Sequence, residues 1–333
     1  MPEHRIKELD VFRGIAALAV VLYHYTCNFN VVFPSSNYHA PVTFPHFDLG
    51  VELFFIISGY VIYMSVNQNN NARHFIVSRF SKLYPAYWVS VLLAWGVVQY
   101  FNIPQLQVHI KDLLWNLTMF QAMPKVHAMQ VQPIYWTLGV ELCFYMFVLA
   151  SLITSLYRYT LIIIPCLMIL MIAVNLVYMH HGMPYYMPVF HYLFLYNCLP
   201  LFCMGILMYL LKSDGRIILI SLNIVLCLVA YILFKEKADV IAVCLFTGLF
   251  LLYHKGWLSW IVNPVTVFFG AISYSLYLVH QYAGYVLIIK LSNAGLNSTL
   301  VLCITLCAAI FVATLLTYFI EKPALKAIRR RLL

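Results

Sequence analysis

Charge is what this sequence has least of. Its 333 residues include 20 Lys+Arg and only 11 Asp+Glu, 9% together, against about 25% in an ordinary soluble domain. That is too little to clothe a water-soluble globule of this length, so a soluble enzyme or carrier is excluded. No dense basic stripe with interleaved aromatics accompanies the net charge of +9, which removes nucleic acid as a partner. The one tight cationic cluster, Arg329 to Arg331, reads as a juxtamembrane anchor for anionic lipid head groups. The nine cysteines form no C-x-x-C pair and no metal-ligand spacing, so they read as small apolar core residues, and no metal is expected. Internal repeats and a soluble domain are also missing. Any chemistry falls to what remains.

What remains is 64% hydrophobic, with a mean hydropathy of +0.87. Apolar stretches of the length a bilayer demands lie near 11–29, 49–66, 83–101, 135–156, 160–178, 191–211, 216–233, 238–254, 264–289 and 298–319. The expected fold is all-α: a polytopic membrane helix bundle of about 10 transmembrane helices, forming a single domain over 1–333. The first stretch carries Arg13 and His24 within it and no small-residue cleavage site follows, so it reads as a span and not as a removed signal peptide. With ten spans and a cytoplasmic N-terminus, only Lys111, Lys125, Lys235, Lys237 and Lys290 of the twenty cations fall outside. That positive-inside bias places both termini in the cytoplasm. The longest segment between spans, about 102–134, contains Pro104, Pro124 and Pro133 and is expected outside, its apolar stretch Leu113 to Phe120 dipping into the interface.

An ionisable side chain within a span costs about 2.5–3.5 kcal/mol on the insertion scale and marks a functional site by default. Arg13, His24, Glu141 and His280 are such residues, and Asp48 and Glu52 stand at the outer mouth of the second span. Arg13 and His24 are eleven residues apart, which brings them within roughly 20° of one helix face and separates them by about 16 Å. They look into one cavity from different depths, with Glu141 at a depth similar to His24. Structural readings stand beside these: a core histidine bonded to a carbonyl for His24, an ion pair or helix tether for Glu141, and local satisfaction by hydroxyls for His280. At the inner mouth, Arg73, His74, Arg79 and Lys82 either anchor the chain or bind phosphate. Arg79 and Lys82, three apart at an expected helix start, offer two cations beside a positive helix end. Tyr135 and Trp136 either stack on a sugar or belong to the interfacial aromatic belt.

The motifs F-R-G-I-A-A-L-A-V-V-L-Y-H (Phe12 to His24), L-F-F-I-I-S-G-Y (Leu53 to Tyr60), R-F-S-K-L-Y-P-A-Y-W (Arg79 to Trp88), W-T-L-G-V-E-L-C-F-Y (Trp136 to Tyr145), S-Y-S-L-Y-L-V-H (Ser273 to His280) and E-K-P (Glu321 to Pro323) follow one another along nearly the whole chain. In that order they resemble the signatures of the acyltransferase-3 family of integral membrane O-acyltransferases. The resemblance implies transfer of an acyl group, usually acetyl, from cytoplasmic acyl-CoA to a hydroxyl of an extracytoplasmic acceptor. That acceptor is most often a surface-polysaccharide sugar, such as O-antigen, exopolysaccharide or capsule. It implies that Arg13 and His24 are the family's R-x10-H pair, and that the region of Arg79 meets the donor. The family's usual R-x-x-R reads R-x-x-K here, so Lys82 keeps the charge but loses bidentate phosphate recognition.

These residues suggest His24 as general base, Glu141 holding its imidazole tautomer, and Arg13, Arg79, Lys82 and Arg73 on the phosphates or lower arm of acetyl-CoA, the co-substrate. The acceptor, a glycan or lipid-linked oligosaccharide, would meet Glu52, Asp48, Trp136, Tyr135 and His280. Ser58 is an alternative nucleophile, although Ser-Gly in a membrane helix more often permits close packing. The expected location is a bacterial inner membrane, with lipids as the surrounding partner. A proton-coupled secondary transporter using His24, Glu141 and His280 as a relay is the rival, but it needs paired interrupted helices in two related halves, and none is evident. An acyl shuttle serving a separate transferase is a third reading.

Overall fold

The protein is described by a computed structural model covering residues 6–121, 126, 128–181 and 198–333. Arg5, Pro124, Lys125 and the first part of the expected 191–211 span lie outside the described residues. Among those described there are helices and no strand. They are α1 (Lys7–Val32), α2 (Gly50–Gln68), α3 (Ala72–Phe101), α4 (Ile110–Asn116), α5 (Trp136–Ile153), α6 (Thr160–His181), α7 (Leu199–Ser213), α8 (Ile217–Ile232), α9 (Lys237–His254), α10 (Pro264–Asn293) and α11 (Ser298–Leu332).

Each of the ten apolar stretches contains a helix, but they are not equivalent. Among the described residues, six helical segments are long and apolar enough to cross a membrane: Lys7–Val32, Phe47–Gln68, Pro133–Ile153, Leu156–Val177, Lys237–His254 and Ser298–Leu332. α7 and α8, at 15 and 16 residues, are apolar but fall short of the roughly 20 residues a perpendicular crossing needs. α3 and α10 are 30 residues each, and dilute their apolar content with Arg, Lys, Ser, His and Gln.

α3 corrects one expectation. It begins at Ala72, where the Asn71 side chain accepts the His74 amide at 3.0 Å, and it runs through Pro85 without ending. Arg79 and Lys82 therefore sit about two turns inside the helix, because nothing between Ala72 and Tyr84 breaks it. The positive helix end lies at Asn71 to His74 instead.

The described residues fall into two compact units. The first occupies Met1–Val51, Val77–Gly139 and Ile261–Leu333. Its centre is the crossing of α1 with α10, where backbones meet at glycines: a Cβ on Gly14 would stand 2.7 Å from the Gly270 amide nitrogen, and one on Gly270 would strike the Asp10 carbonyl. Small residues let membrane helices approach this closely. Gly14 meets Gly270, and ten residues on along both helices His24 meets His280, so α1 and α10 run parallel. Spans one and nine of a ten-span chain must run that way. α10 starts sharply, with Asn263 accepting the amides of Val265 and Thr266, Thr266 returning the bond, and Pro264 in the first turn. Within the described part of the 102–134 segment, the Asn116 side chain donates to the Asp112 and Met129 carbonyls and accepts from the Val131 amide. Tyr87, Trp88 and Trp95 of α3 donate to carbonyls of the same segment.

The second unit occupies Glu52–Ile76 and Val140–Trp260. A Cβ on Gly59 would strike the Phe202 carbonyl and one on Gly205 the Ile56 carbonyl, so the Ser-Gly of α2 is a close-packing site against α7. Tyr60, Tyr209, Phe250 and Tyr253 pack around it with ring centroids 5.5–6.5 Å apart.

Candidate active site

His24 opens a π-helical turn, His24–Asn28, inside α1. The extra residue of such a turn breaks the regular i to i−4 ladder and re-aims side chains, and these turns recur at functional sites. Because the helix is regular up to Tyr23, the roughly 16 Å spacing to Arg13 holds. The imidazole is 8% exposed. Its Nδ1 lies 2.8 Å from the Val20 carbonyl and 3.3 Å from Nε2 of His280, which is completely buried. Asp48 stands within electrostatic range of Tyr23, whose ring meets His24 edge-on, and Tyr285 donates to Asn28 at 2.6 Å. The first unit thus brings His24, His280 and Asp48 into one neighbourhood.

A carbonyl oxygen can only accept, so the Val20 contact requires a proton on His24 Nδ1. In the neutral ring the lone pair then resides on Nε2. The orienting position that sequence reasoning gave to Glu141 is therefore filled by a backbone carbonyl on the histidine's own helix. The interior of a helix supplies that acceptor four residues back.

At the other end of α1, Arg13 and Lys82 lie in electrostatic range of Glu321, which closes a second π-helical turn, Thr317–Glu321, in α11. The Glu321 carboxylate accepts from Ser275 at 2.9 Å. Arg79 is 8% exposed, and the neighbouring Ser78 hydroxyl accepts from Arg329 at 2.8 Å. Sequence reasoning did not rank Glu321 as a site residue, although the E-K-P motif contained it.

In the second unit, Oε1 of Glu141 accepts from Ser58 at 2.5 Å and Tyr145 at 2.6 Å, tying α2 to α5. The helix-tether reading of Glu141 matches these contacts. Glu52 lies beside Tyr231 and Cys198, with the Lys235 ammonium 5.4 Å over the Tyr231 ring. Arg73 is exposed in the first turn of α3.

Two expected acceptor-binding residues prove to be interior. Tyr135 is 0% exposed, its hydroxyl engaged with Gln132, Ser90 and the Leu278 carbonyl, so it has no face for a sugar. His280 is likewise sealed from any acceptor, and carbonyls, not the neighbouring hydroxyls, satisfy it. Both follow from the packing of α10 against its neighbours, which a one-dimensional reading does not contain. Trp136, half-buried at the start of α5, remains accessible.

No curated protein and no solved structure matches the chain. The family model Acyl_transf_3, an acyltransferase domain, matches residues 6–318, nearly the whole sequence. The R-x10-H pair on α1, the S-Y-S-L-Y-L-V-H segment that supplies its neighbour, and the membrane-spanning helices around them thus fall within one continuous match: the chain belongs to the acyltransferase-3 family and is a multi-pass membrane acyltransferase.

Proposed function

We propose that the protein is an O-acyltransferase that moves an acyl group, acetyl above all, from cytoplasmic acyl-CoA to a sugar hydroxyl of an extracytoplasmic or lipid-linked glycan, in a bacterial inner membrane. The observation that carries this reading is the His24 Nδ1 contact with the Val20 carbonyl, which leaves the lone pair on Nε2, about 16 Å along α1 from a cationic group, Arg13 with Lys82. Acyl transfer from CoA needs both: a base for the acceptor hydroxyl, and cations for the donor's phosphates.

In the proposed step, Nε2 of His24 takes the proton from the acceptor O–H as that oxygen attacks the thioester carbonyl. A C–O bond forms, the C–S bond breaks, and the leaving thiolate recovers the proton from the imidazolium. Ester and free CoA result, with no net proton change. Arg13, Arg79 and Lys82 hold the phosphates or lower arm at the inner mouth, and the roughly 16 Å to His24 is comparable to the reach of the pantetheine arm. Asp48 and Trp136 remain the acceptor-facing candidates of the first unit; for Glu52 and Arg73, in the second, acceptor and donor contacts remain proposals taken from the sequence alone. Glu141 acts through Ser58 and Tyr145 to fix α2 and α5.

The test is purified protein in lipid vesicles with acetyl-CoA and a lipid-linked oligosaccharide, following free thiol and acetylated glycan together. Equal yields of both support direct transfer. Thiol release without glycan modification would favour a shuttle, and substrate movement without thioester consumption would favour a transporter.

A further inference from the structure

We propose that His280, on α10, is the positioning residue that fixes the reactive tautomer of His24. The inference rests on the acyl-transfer reading above and deepens it.

Donors and acceptors follow one another along the imidazole pair in one direction. Nδ1 of His280 lies 3.1 Å from the Leu276 carbonyl and 2.9 Å from the Tyr277 carbonyl. Neither carbonyl can donate, so that nitrogen carries the proton, and the neutral ring presents a bare Nε2. This bare nitrogen faces Nδ1 of His24 at 3.3 Å, with the rings edge-on at a centroid distance of 5.0 Å. One N–H must lie between two nitrogens that share a hydrogen bond, and His280 has none to give at that position. His24 supplies it, dividing its Nδ1 proton between Val20 and His280. Two independent acceptors therefore enforce the same tautomer, in which Nε2 of His24 is the base.

The same contact serves the transition state. As Nε2 takes up the acceptor's proton, positive charge spreads over the His24 ring, and its Nδ1–H becomes a stronger donor to both acceptors. In hydrolytic triads a carboxylate does this work; here a neutral imidazole and a peptide carbonyl do it. The placement of His280 is itself over-determined. Its backbone carbonyl accepts from the Tyr25 hydroxyl at 2.7 Å, and the missing Cβ at Gly284 makes the space for the Tyr25 ring. Tyr25 is the residue after His24, so α1 and α10 are joined a second time directly beside the imidazole pair. The function of His280 is not to touch either substrate, from which its burial seals it.

Two measurements test the inference. In protein labelled with 15N-histidine and reconstituted in lipid, the His24 signals, assigned by their loss in His24→Ala, should show a protonated Nδ1 and a bare Nε2. A protonated Nε2 with a bare Nδ1, the form free imidazole side chains prefer, would overturn the proposal. In kinetics, His280→Met removes the acceptor and should lower kcat about 10–100-fold, as loss of the partner that orients a metal-ligating histidine does, while KM for acetyl-CoA stays unchanged. His280→Gln, whose side-chain oxygen can reach the position of Nε2, should recover most of that loss. Wild-type kcat in His280→Met, or equal losses in both variants, would overturn it. If His24→Ala is inactive while His280→Met is fully active, only the positioning role falls. A fully active His24→Ala would instead remove the acyl-transfer mechanism itself.

Discussion

Replacing Gly14 by alanine changes neither histidine, yet it should disable both stability and turnover. The new Cβ would stand 2.7 Å from the Gly270 nitrogen and 2.9 Å from the Phe269 carbonyl carbon, both backbone atoms with no rotamer to yield. Ordinary contact begins at 3.4 Å, so α1 and α10 must part by about 0.7 Å. His24 and His280 each lie ten residues beyond this crossing, about 15 Å along parallel helices. Carried there as a rigid shift, the separation stretches the 3.3 Å imidazole contact to about 4.0 Å, too long for a hydrogen bond. The overpacking should cost about 1–3 kcal/mol, read as a lower thermal midpoint in detergent. Turnover should fall as in His280→Met. Gly248→Ala is the control: nothing lies within 4 Å of its added Cβ, so both quantities should hold or improve. Wild-type stability and turnover in Gly14→Ala would refute the close α1–α10 crossing and the dependence of the base on it.

Ser58→Ala should keep acyl transfer while losing about 1.5–3 kcal/mol of stability with its hydrogen bond to the Glu141 carboxylate; abolished turnover in folded protein would restore Ser58 as an acyl-enzyme nucleophile. Lys82→Arg should tighten acetyl-CoA binding and Arg79→Ala weaken it, by calorimetry, because a guanidinium offers phosphate a bidentate fork; unchanged affinity in both would return these cations to anchoring. Asn263→Ala removes the α10 cap and should lower stability by about 0.5–2 kcal/mol, with denaturation as the readout. Between α7 and α8, Arg216 pairs with Asp214 at 2.6 Å and draws its carboxyl down to about 2. A depressed folded value means that the pair's contribution is present above the unfolded carboxylate pKa, about 3.9, and is lost as pH falls through 2. The carboxyl titration seen by NMR should move back up in Arg216→Ala, with little change in stability at neutral pH because the pair is exposed.

Helix positions were legible because lipid imposes length and hydropathy directly on sequence. Arg13 and His24 stand out in the sequence because charge in a span is costly, and the regular helix between them keeps the eleven-residue spacing that sets them on one face. The start of α3 was misplaced, since Arg79 and Lys82 look like a boundary but helix propensity carries through them to Asn71. The π-helical turns at His24 and Glu321 left no trace, because one extra residue in a helical turn changes hydrogen bonding and not composition. His280 lies 256 residues from His24, and only folding reveals that it meets the imidazole. Glu141 was expected at that position by analogy with triads; its actual partners, Ser58 and Tyr145, are close in space through packing of α2 on α5, which no spacing rule contains.

The central claim is that His24 removes the acceptor's proton, and single-turnover transfer by His24→Ala tests it most directly. With purified enzyme, labelled acetyl-CoA and a lipid-linked oligosaccharide, the variant should bind acetyl-CoA as the wild type does and transfer its acetyl group about 10²–10⁴-fold more slowly. Undiminished transfer with intact binding would contradict the claim.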